Sequence, residues 1–305
     1  MRFSVFQVSR KGGRNNNEDR MGYCYTREAA VFVLADGMGG HPEGEVAAQM
    51  ALEGVVGLFQ KMAQPKLPDV TVFLSDAVLA VHRRILHYAA EKAMLDTPRT
   101  TIVVAVVQSG SVTWVHCGDS RLYVVRHHAL LARTRDHSFL EQSQTGVGGN
   151  GAIINRNVLF TCLGSPAKPV FNATGPLPLT QGDKVMLCSD GLWSSLTDDD
   201  IVLELGHKKV NEAVPDLVEQ ALRKAGSSSD NVTCIALEWE TPDEFEPTRS
   251  FISTESIVDG TFQSTVQTAV MDPTPMDLDE ATIERSISEI KDAIRRTADK
   301  KNLQD

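Results

Sequence analysis

No uninterrupted apolar run in the chain approaches the roughly 18 residues that a membrane-spanning helix needs, so no membrane association is expected. The N-terminal stretch MRFSVFQVSRKGG also lacks the long apolar core of a signal peptide. Cysteine is scarce and unpaired: Cys24, Cys117, Cys162, Cys188 and Cys234 show no CxxC spacing. That argues against a thiolate zinc site and a disulfide framework, and predicts a reduced, cytoplasmic chain whose Cys117, Cys188 and Cys234 are small core residues. Basic residues are outnumbered, with 30 Lys and Arg against 40 Asp and Glu and a net charge of −10, which disfavours nucleic-acid binding. Internal repeats are absent. With 305 residues, 42% of them hydrophobic, the chain can nevertheless bury a substantial core.

What is present is organised around VFVLADGMGGH at 31–41. The apolar run from Val31 to Ala35 reads as a buried strand that ends in a carboxylate, Asp36, followed by Gly37, Gly39 and Gly40. Strand ends are where rigid scaffolds present chemistry, and glycine lets a backbone carbonyl approach a ligand. Alone, such a stretch is an ordinary strand and turn. Here the pattern recurs, with Asp119-Ser120 in WVHCGDSR, Asp190-Gly191 in VMLCSDGLW, and Asp230-Asn231 before VTCIAL. Carboxylates at strand ends, far apart in sequence, point to one acidic site.

Residues 3–8 and 21–25 form two early strands around the polar RKGGRNNNEDR. Pro42, with Glu43 and Glu45 behind it, opens a helix to about Met62. A second helix covers about 70–95, with Val70, Leu74, Ala77, Val78, Val81, Ile85 and Ala89 on one face. The period then switches: TTIVVAVV, SVTWVHCG, RLYVVR and HALLAR form a meander of antiparallel strands. Residues 143–157 are Gly- and Asn-rich, a surface loop, and NVLFTCLG, DKVMLCSD and NVTCIALEW supply three more strands. A helix follows Thr197, with Asp200 completing a near capping box, and another runs from about Asn211 to Ala225, closed by Gly226. Helices and antiparallel strands come in blocks, which predicts α+β layers and not a doubly wound parallel sheet. Beyond residue 240 the composition changes. Residues 241–277 read as a disordered linker rich in Thr, Ser, Pro and acidic groups, after a first domain at 1–240. A final segment, 278–305, holds an amphipathic helix with Ile283, Ile287, Ile290 and Ile294 in a narrow stripe, read either as a docking segment for a partner or as a solvated, marginal helix.

Gathered together, Glu18, Asp19, Asp36, Asp119, Asp190 and Asp230 cannot sit side by side at neutral pH without compensating cations. Their ligand atoms are hard oxygens, with no His or Cys at ligand spacing, which favours Mg²⁺ or Mn²⁺ over Zn²⁺. Such ions activate water and clamp a phosphoryl group. Arg14, close before Glu18, could hold phosphate oxygens bidentately.

RNNNED, LADGMGGH, RTTIVVAVV, CGDSRLY, LCSDGLW and SDNVTCIAL stand in the order and spacing of the metal-dependent type 2C serine/threonine protein phosphatases, and the chain resembles their stand-alone bacterial members over roughly residues 1–240. The resemblance implies an α-β-β-α sandwich, two central antiparallel sheets flanked by helices, with a two- or three-metal site at one end. It implies that Asp36 bridges two ions while the carbonyl of Gly37 completes one coordination shell, and that Asp190 and Asp230 ligate the other ion. Glu18 and Asp19 would act through metal-bound waters or hydrogen bonds, Asp119 would help hold a weaker third ion, and Arg14 would bind phosphate. Metal-activated hydroxide would then attack phosphorus directly.

Two departures stand out. Met38 follows Asp36-Gly37 where many eukaryotic members carry a proton-donating His, so a metal-bound water near Asp119 is the expected donor and His41 is given a structural role. Between Asp136 and Gly164 the usual helical flap is replaced by a Gly/Asn-rich loop, so substrate preference does not carry over. The expected substrates are phosphorylated proteins, and the expected counterpart is a serine/threonine kinase of the same cell. A catalytically dead phosphoprotein-binding scaffold and a small-molecule phosphoesterase are the alternatives.

Overall fold

A computed structural model of the chain describes residues 1–139, 141, 158–240, 252–253 and 262–266. Its strands are β1 (Arg2–Arg10), β2 (Asp19–Tyr25), β3 (Ala29–Asp36), β4 (Ile102–Gln108), β5 (Ser111–Cys117), β6 (Arg121–Arg126), β7 (Ala129–Arg133), β8 (Thr174–Pro178), β9 (Lys184–Cys188), β10 (Val232–Glu240), β11 (Ile252–Ser253) and β12 (Gln263–Ser264). The helices are α1 (Gly44–Met62), α2 (Val70–Glu91), α3 (Asp190–Trp193), α4 (Asp198–His207) and α5 (Val210–Ala225). One sheet runs β11-β1-β10-β9-β6-β7 and the other β12-β2-β3-β4-β5-β8, with every described pairing antiparallel. The layered α+β architecture expected from the sequence is the one found.

The central strands β3 and β4 read as unbroken apolar runs because they are buried on both faces. In β3, Ala30, Phe32 and Leu34 point between the sheets, where they meet Leu122, Leu187, Ile235 and Leu237. The alternate residues Val31, Val33 and Ala35 point outward into a second core with Ala48, Val55 and Phe59 of α1 and Phe73, Val81 and Ile85 of α2. Across the other sheet, Met186, Cys188, Cys234 and Ala236 pack on Ile201, Leu205, Val214, Leu217 and Val218 of α4 and α5. All five cysteines are buried free thiols.

Several boundaries move for identifiable reasons. Helix α1 starts at Gly44 and not at Pro42, because Glu43 takes a left-handed backbone (φ 53) and its carboxylate accepts from the Tyr88 hydroxyl at 2.6 Å. Helix α2 is N-capped by Asp69, whose side chain accepts from the Val72 N–H, and stops at Glu91, before Ala93 turns left-handed (φ 50). NVLFTCLG is not a strand. Its described residues make only single bridges, Ser138 to Leu159 and Thr100 to Leu163, because β4 is already paired on both edges. The β5 edge is taken instead by β8, TGPLP, whose prolines are tolerated because it is the outermost strand.

The linker expected over 241–277 is not detached where it is described. Ile252 and Ser253 pair with Phe3 and Arg2, and Gln263 and Ser264 pair with Tyr25 and Cys24, so the chain straps the open edge of both sheets. Val266 is buried in the helix-facing core, over Gly22, the position in β2 without a side chain to block it. The loop expected at 143–157 and the helix expected at 278–300 lie outside the described residues.

Candidate active site

Register puts the acidic residues at one end of the sandwich. Asp19 opens β2 directly opposite Asp36, which closes β3. Cys117 is opposite Ile102, so Gly118 and Asp119 follow at the same end. Cys188 is opposite both Arg121 and Cys234, which brings Asp190 beside Asp230. Arg14, Glu18, Asp36, Gly37, Asp119, Asp190 and Asp230 all line one cavity of about 700 Å³. Asp19 does not: it is 4% exposed, behind the cavity, and its Oδ2 accepts from the Ser189 hydroxyl at 2.8 Å.

Each carboxylate is held by its strand end. The Asp36 carbonyl accepts from the Thr101 N–H (2.8 Å) and the Thr100 hydroxyl (2.9 Å), and the Asp36 N–H donates to the Thr101 hydroxyl (3.2 Å). Asn231 knits the N-terminal loop to the site. Its Oδ1 accepts from the Glu18 N–H (2.8 Å) and its Nδ2 donates to the carbonyls of Lys11 and Asn16 (2.8 and 2.9 Å). Gly37 and Gly44 allow the β3–α1 turn to close: a Cβ on Gly37 would lie 2.5 Å from the Gly44 carbonyl, and one on Gly44 would lie 2.3 Å from Glu18 Oε2. Thr100, Thr101, Ser189 and Asn231 lie inside the RTTIVVAVV, LCSDGLW and SDNVTCIAL motifs, but as uncharged residues they carry no signal in the sequence that marks them as part of the site.

Crowding shows in the titration of the cluster. Burial first, then the neighbouring Asp19, Asp190 and Asp119, hold the Asp36 carboxyl far above the ordinary range. Asp190 is raised likewise, by burial and then by Asp119 and Asp230. Asp119 is pushed up to about 6, by burial and then by Asp136. Burial also raises Glu18 and Asp19. The only cation lining this cavity among the described residues is Arg14, whose guanidinium is 2.7 Å from Asp230 Oδ2. Glu18 Oε2 and Asp19 Oδ1 are buried without a hydrogen-bond partner.

Buried acceptors without donors, among carboxylates that raise one another's pKa, fit hard divalent cations. Among the described residues no three Asp, Glu, His or Cys side chains already stand as one closed ligand set. An ion here would therefore take one or two carboxylates at a time, with backbone carbonyl and water oxygens completing its shell, as Mg²⁺ commonly does. At the rim, the Met38 N–H donates to the Arg99 carbonyl (3.0 Å), and His41 Nδ1 is 2.7 Å from Asp96 Oδ2. His41 thus lines the cavity while tied to a carboxylate of its own.

Comparison with known proteins agrees with this geometry. The chain is 29% identical to a serine/threonine phosphatase, stp, of Listeria monocytogenes over 241 residues, covering 76% of this chain and 94% of the relative. It is 32% identical to the serine/threonine protein phosphatase PstP of Mycobacterium tuberculosis over 231 residues, 73% of this chain and 42% of that protein. A solved structure of the PstP catalytic domain in complex with two manganese ions superposes with a TM-score of 0.61 at 29% identity, covering 78% of this chain and 98% of that one. The family model for protein phosphatase 2C matches residues 8–225, well over half of the sequence, and the chain belongs to that family.

Proposed function

We propose that this chain is a metal-dependent protein serine/threonine phosphatase, a phosphoric monoester hydrolase acting on phosphoserine and phosphothreonine in proteins. The observation that carries it is the single cavity into which four separated strand ends bring Asp36, Asp119, Asp190 and Asp230, with Arg14 at its side. Asp36, Asp190, Asp230 and the Gly37 carbonyl would hold two ions, Mn²⁺ or Mg²⁺, and Asp119 a weaker third. Divalent ions, when bound, neutralise the carboxylates and make water nucleophilic enough to attack phosphorus.

The chain's own residues supply orientation. Thr100 and Thr101 fix the Asp36 backbone, and Asn231 fixes Glu18, so the donor oxygens need little rearrangement. Arg14 spends one nitrogen on Asp230, and its remaining N–H groups can meet phosphate oxygens, with 57% of the side chain exposed at the mouth. Glu18 from the cavity wall, and Asp19 from behind it, would act through waters and hydrogen bonds. Met38 offers no proton to the leaving alkoxide, and His41 is turned to Asp96.

The substrates are phosphoproteins made by a serine/threonine kinase of the same cell, in the cytoplasm. No described helix is long and apolar enough to cross a membrane. The test is phosphate release from phosphothreonine peptides, nucleotides and sugar phosphates with Mn²⁺, Mg²⁺ or EDTA. Metal-dependent release from the peptides is expected. Release confined to the small molecules, or metal binding with no turnover of any phosphopeptide, would overturn the proposal in favour of a small-molecule phosphoesterase or a binding scaffold.

A further inference from the structure

Behind Asp119 lies a second cavity, of about 460 Å³, that shares no lining residue with the first. It sits where the sandwich opens at its far edge, between Arg133 at the end of β7 in one sheet and Thr174 at the start of β8 in the other. Rings wall it. His116 and His137 stack at 4.3 Å between centroids, His137 meets Phe160 at 5.3 Å, and Trp114 completes the lining.

Hydrogen bonds fix what the two imidazoles offer. His116 Nε2 is 2.7 Å from the Arg135 carbonyl, so that nitrogen carries the proton and Nδ1 is left as an acceptor. His137 Nδ1 accepts from the Gly118 N–H at 3.3 Å, which leaves Nε2–H as a donor. Burial lowers His116 and, with His116 beside it, brings His137 down to about 4, so both rings are neutral near pH 7.

The charge left over is positive. Asp136 is occupied by Arg121, with contacts of 2.8 and 2.7 Å. Arg133 leans on Asp198 at 3.4 Å and Glu141 at 3.9 Å. Arg135 is exposed and has no carboxylate partner among the described residues. A cavity of this volume holds one ring system with a substituent, and a single guanidinium at an aromatic wall suits a planar carboxylate.

We propose that this cavity is a binding site for a small aromatic carboxylate, its ring laid against the His116–His137–Phe160 wall and its carboxylate met by Arg135. The site reports to the first cavity through His137. The His137 N–H donates to the Gly118 carbonyl at 3.0 Å, the Gly118 N–H returns to its ring, and the next residue is Asp119. Binding itself is independent of the phosphatase assignment, and only an effect on turnover rests on it.

The experiment titrates indole-3-carboxylate into the full chain and follows the ¹H–¹⁵N imidazole signals of His116 and His137. Indole-3-carboxamide serves as the uncharged probe. Two variants accompany it: Arg135→Gln, which removes the charge from an exposed position, and Thr174→Phe, which fills the cavity from the edge strand. The natural chain should show a saturable shift, weakened about tenfold or more by Arg135→Gln and for the carboxamide, and abolished by Thr174→Phe. Peptide turnover without ligand should be unchanged in Arg135→Gln. No saturable shift in the natural chain would overturn the proposal, as would equal binding of the carboxamide or binding that survives both variants.

Discussion

Asp19 and Asp36 are directly opposed residues of the β2–β3 ladder, one sealed behind the cavity on the Ser189 hydroxyl and the other facing into it. Like charges at opposed positions of a sheet are destabilising, and burial enlarges the effect. Stability is thereby conceded to the site. Asp36→Asn should therefore raise the melting temperature of metal-free protein at pH 7.5, by an amount corresponding to about 1 kcal/mol or more. It should also remove most of the stabilisation that Mn²⁺ confers. Differential scanning calorimetry in EDTA and in Mn²⁺ checks both, and a metal-free variant that melts lower than the natural chain would count against a strained acidic cluster.

The same cluster sets a pH dependence. Asp119, raised from 3.8 to about 6, stabilises the fold while protonated, and that contribution is lost as pH rises through about 6. Asp36 and Asp190, raised in the same direction by burial and by their carboxylate neighbours, likewise lose theirs as pH rises. Two buried imidazoles oppose this. His82 and His137, lowered from 6.5 to about 4, cost stability below about 4, and that cost is recovered as pH rises toward 6.5. The imidazole contribution is common to both samples, so it cancels when melts with and without Mn²⁺ are compared at one pH. The Mn²⁺-induced rise should be small at pH 5 and about 5 °C or more at pH 7.5. Equal rises at the two values would contradict the assignment of those carboxylates to the ions.

Arg14 should act on substrate binding more than on the fold. Its contact with Asp230 is at the surface, where ion pairs contribute little to stability. Arg14→Ala is expected to lower kcat/KM on a phosphothreonine peptide by about 10- to 100-fold, mainly through KM, with Arg14→Lys intermediate. Steady-state kinetics decide it, and an unchanged KM would remove Arg14 from the phosphate site.

The strap over the sheet edges makes a separate prediction. Val266 Cγ2 lies 2.6 Å from where a Cβ on Gly22 would stand, so Gly22→Ala and Val266→Asp should both lift the segment. Burial of a valine stabilises by about 2 kcal/mol, and each variant should melt several degrees lower while keeping its peptide turnover. Unaltered melting would mean that the strap contributes nothing to the domain.

Much of this was legible in the residues because the two periodicities are clean. β3 reads as a buried strand from Val31 to Ala35, and its terminal Asp36 marks the site, since an apolar run cannot continue through a carboxylate. Thr197 and Asp200 announce α4, and their reciprocal capping box is present. Less legible were features that depend on distant partners. β8 is written in prolines and glycine and is a strand only because β5 offers a free edge. The strap at 262–266 carries one buried apolar residue, and its place is determined by a hole at Gly22 in another strand. Asn231 is an ordinary polar residue until Lys11, Asn16 and Glu18 are brought to it.

The most direct measurement is hydrolysis of a phosphothreonine peptide by the natural chain and by Asp36→Asn, each titrated with Mn²⁺ after EDTA treatment. The natural chain should be inactive without metal and gain activity with Mn²⁺, while Asp36→Asn, folded by its melting curve, should fall by about 100-fold or more at every concentration. Activity that persists in EDTA, or a variant that turns over as fast as the natural chain, would contradict a metal site built on Asp36.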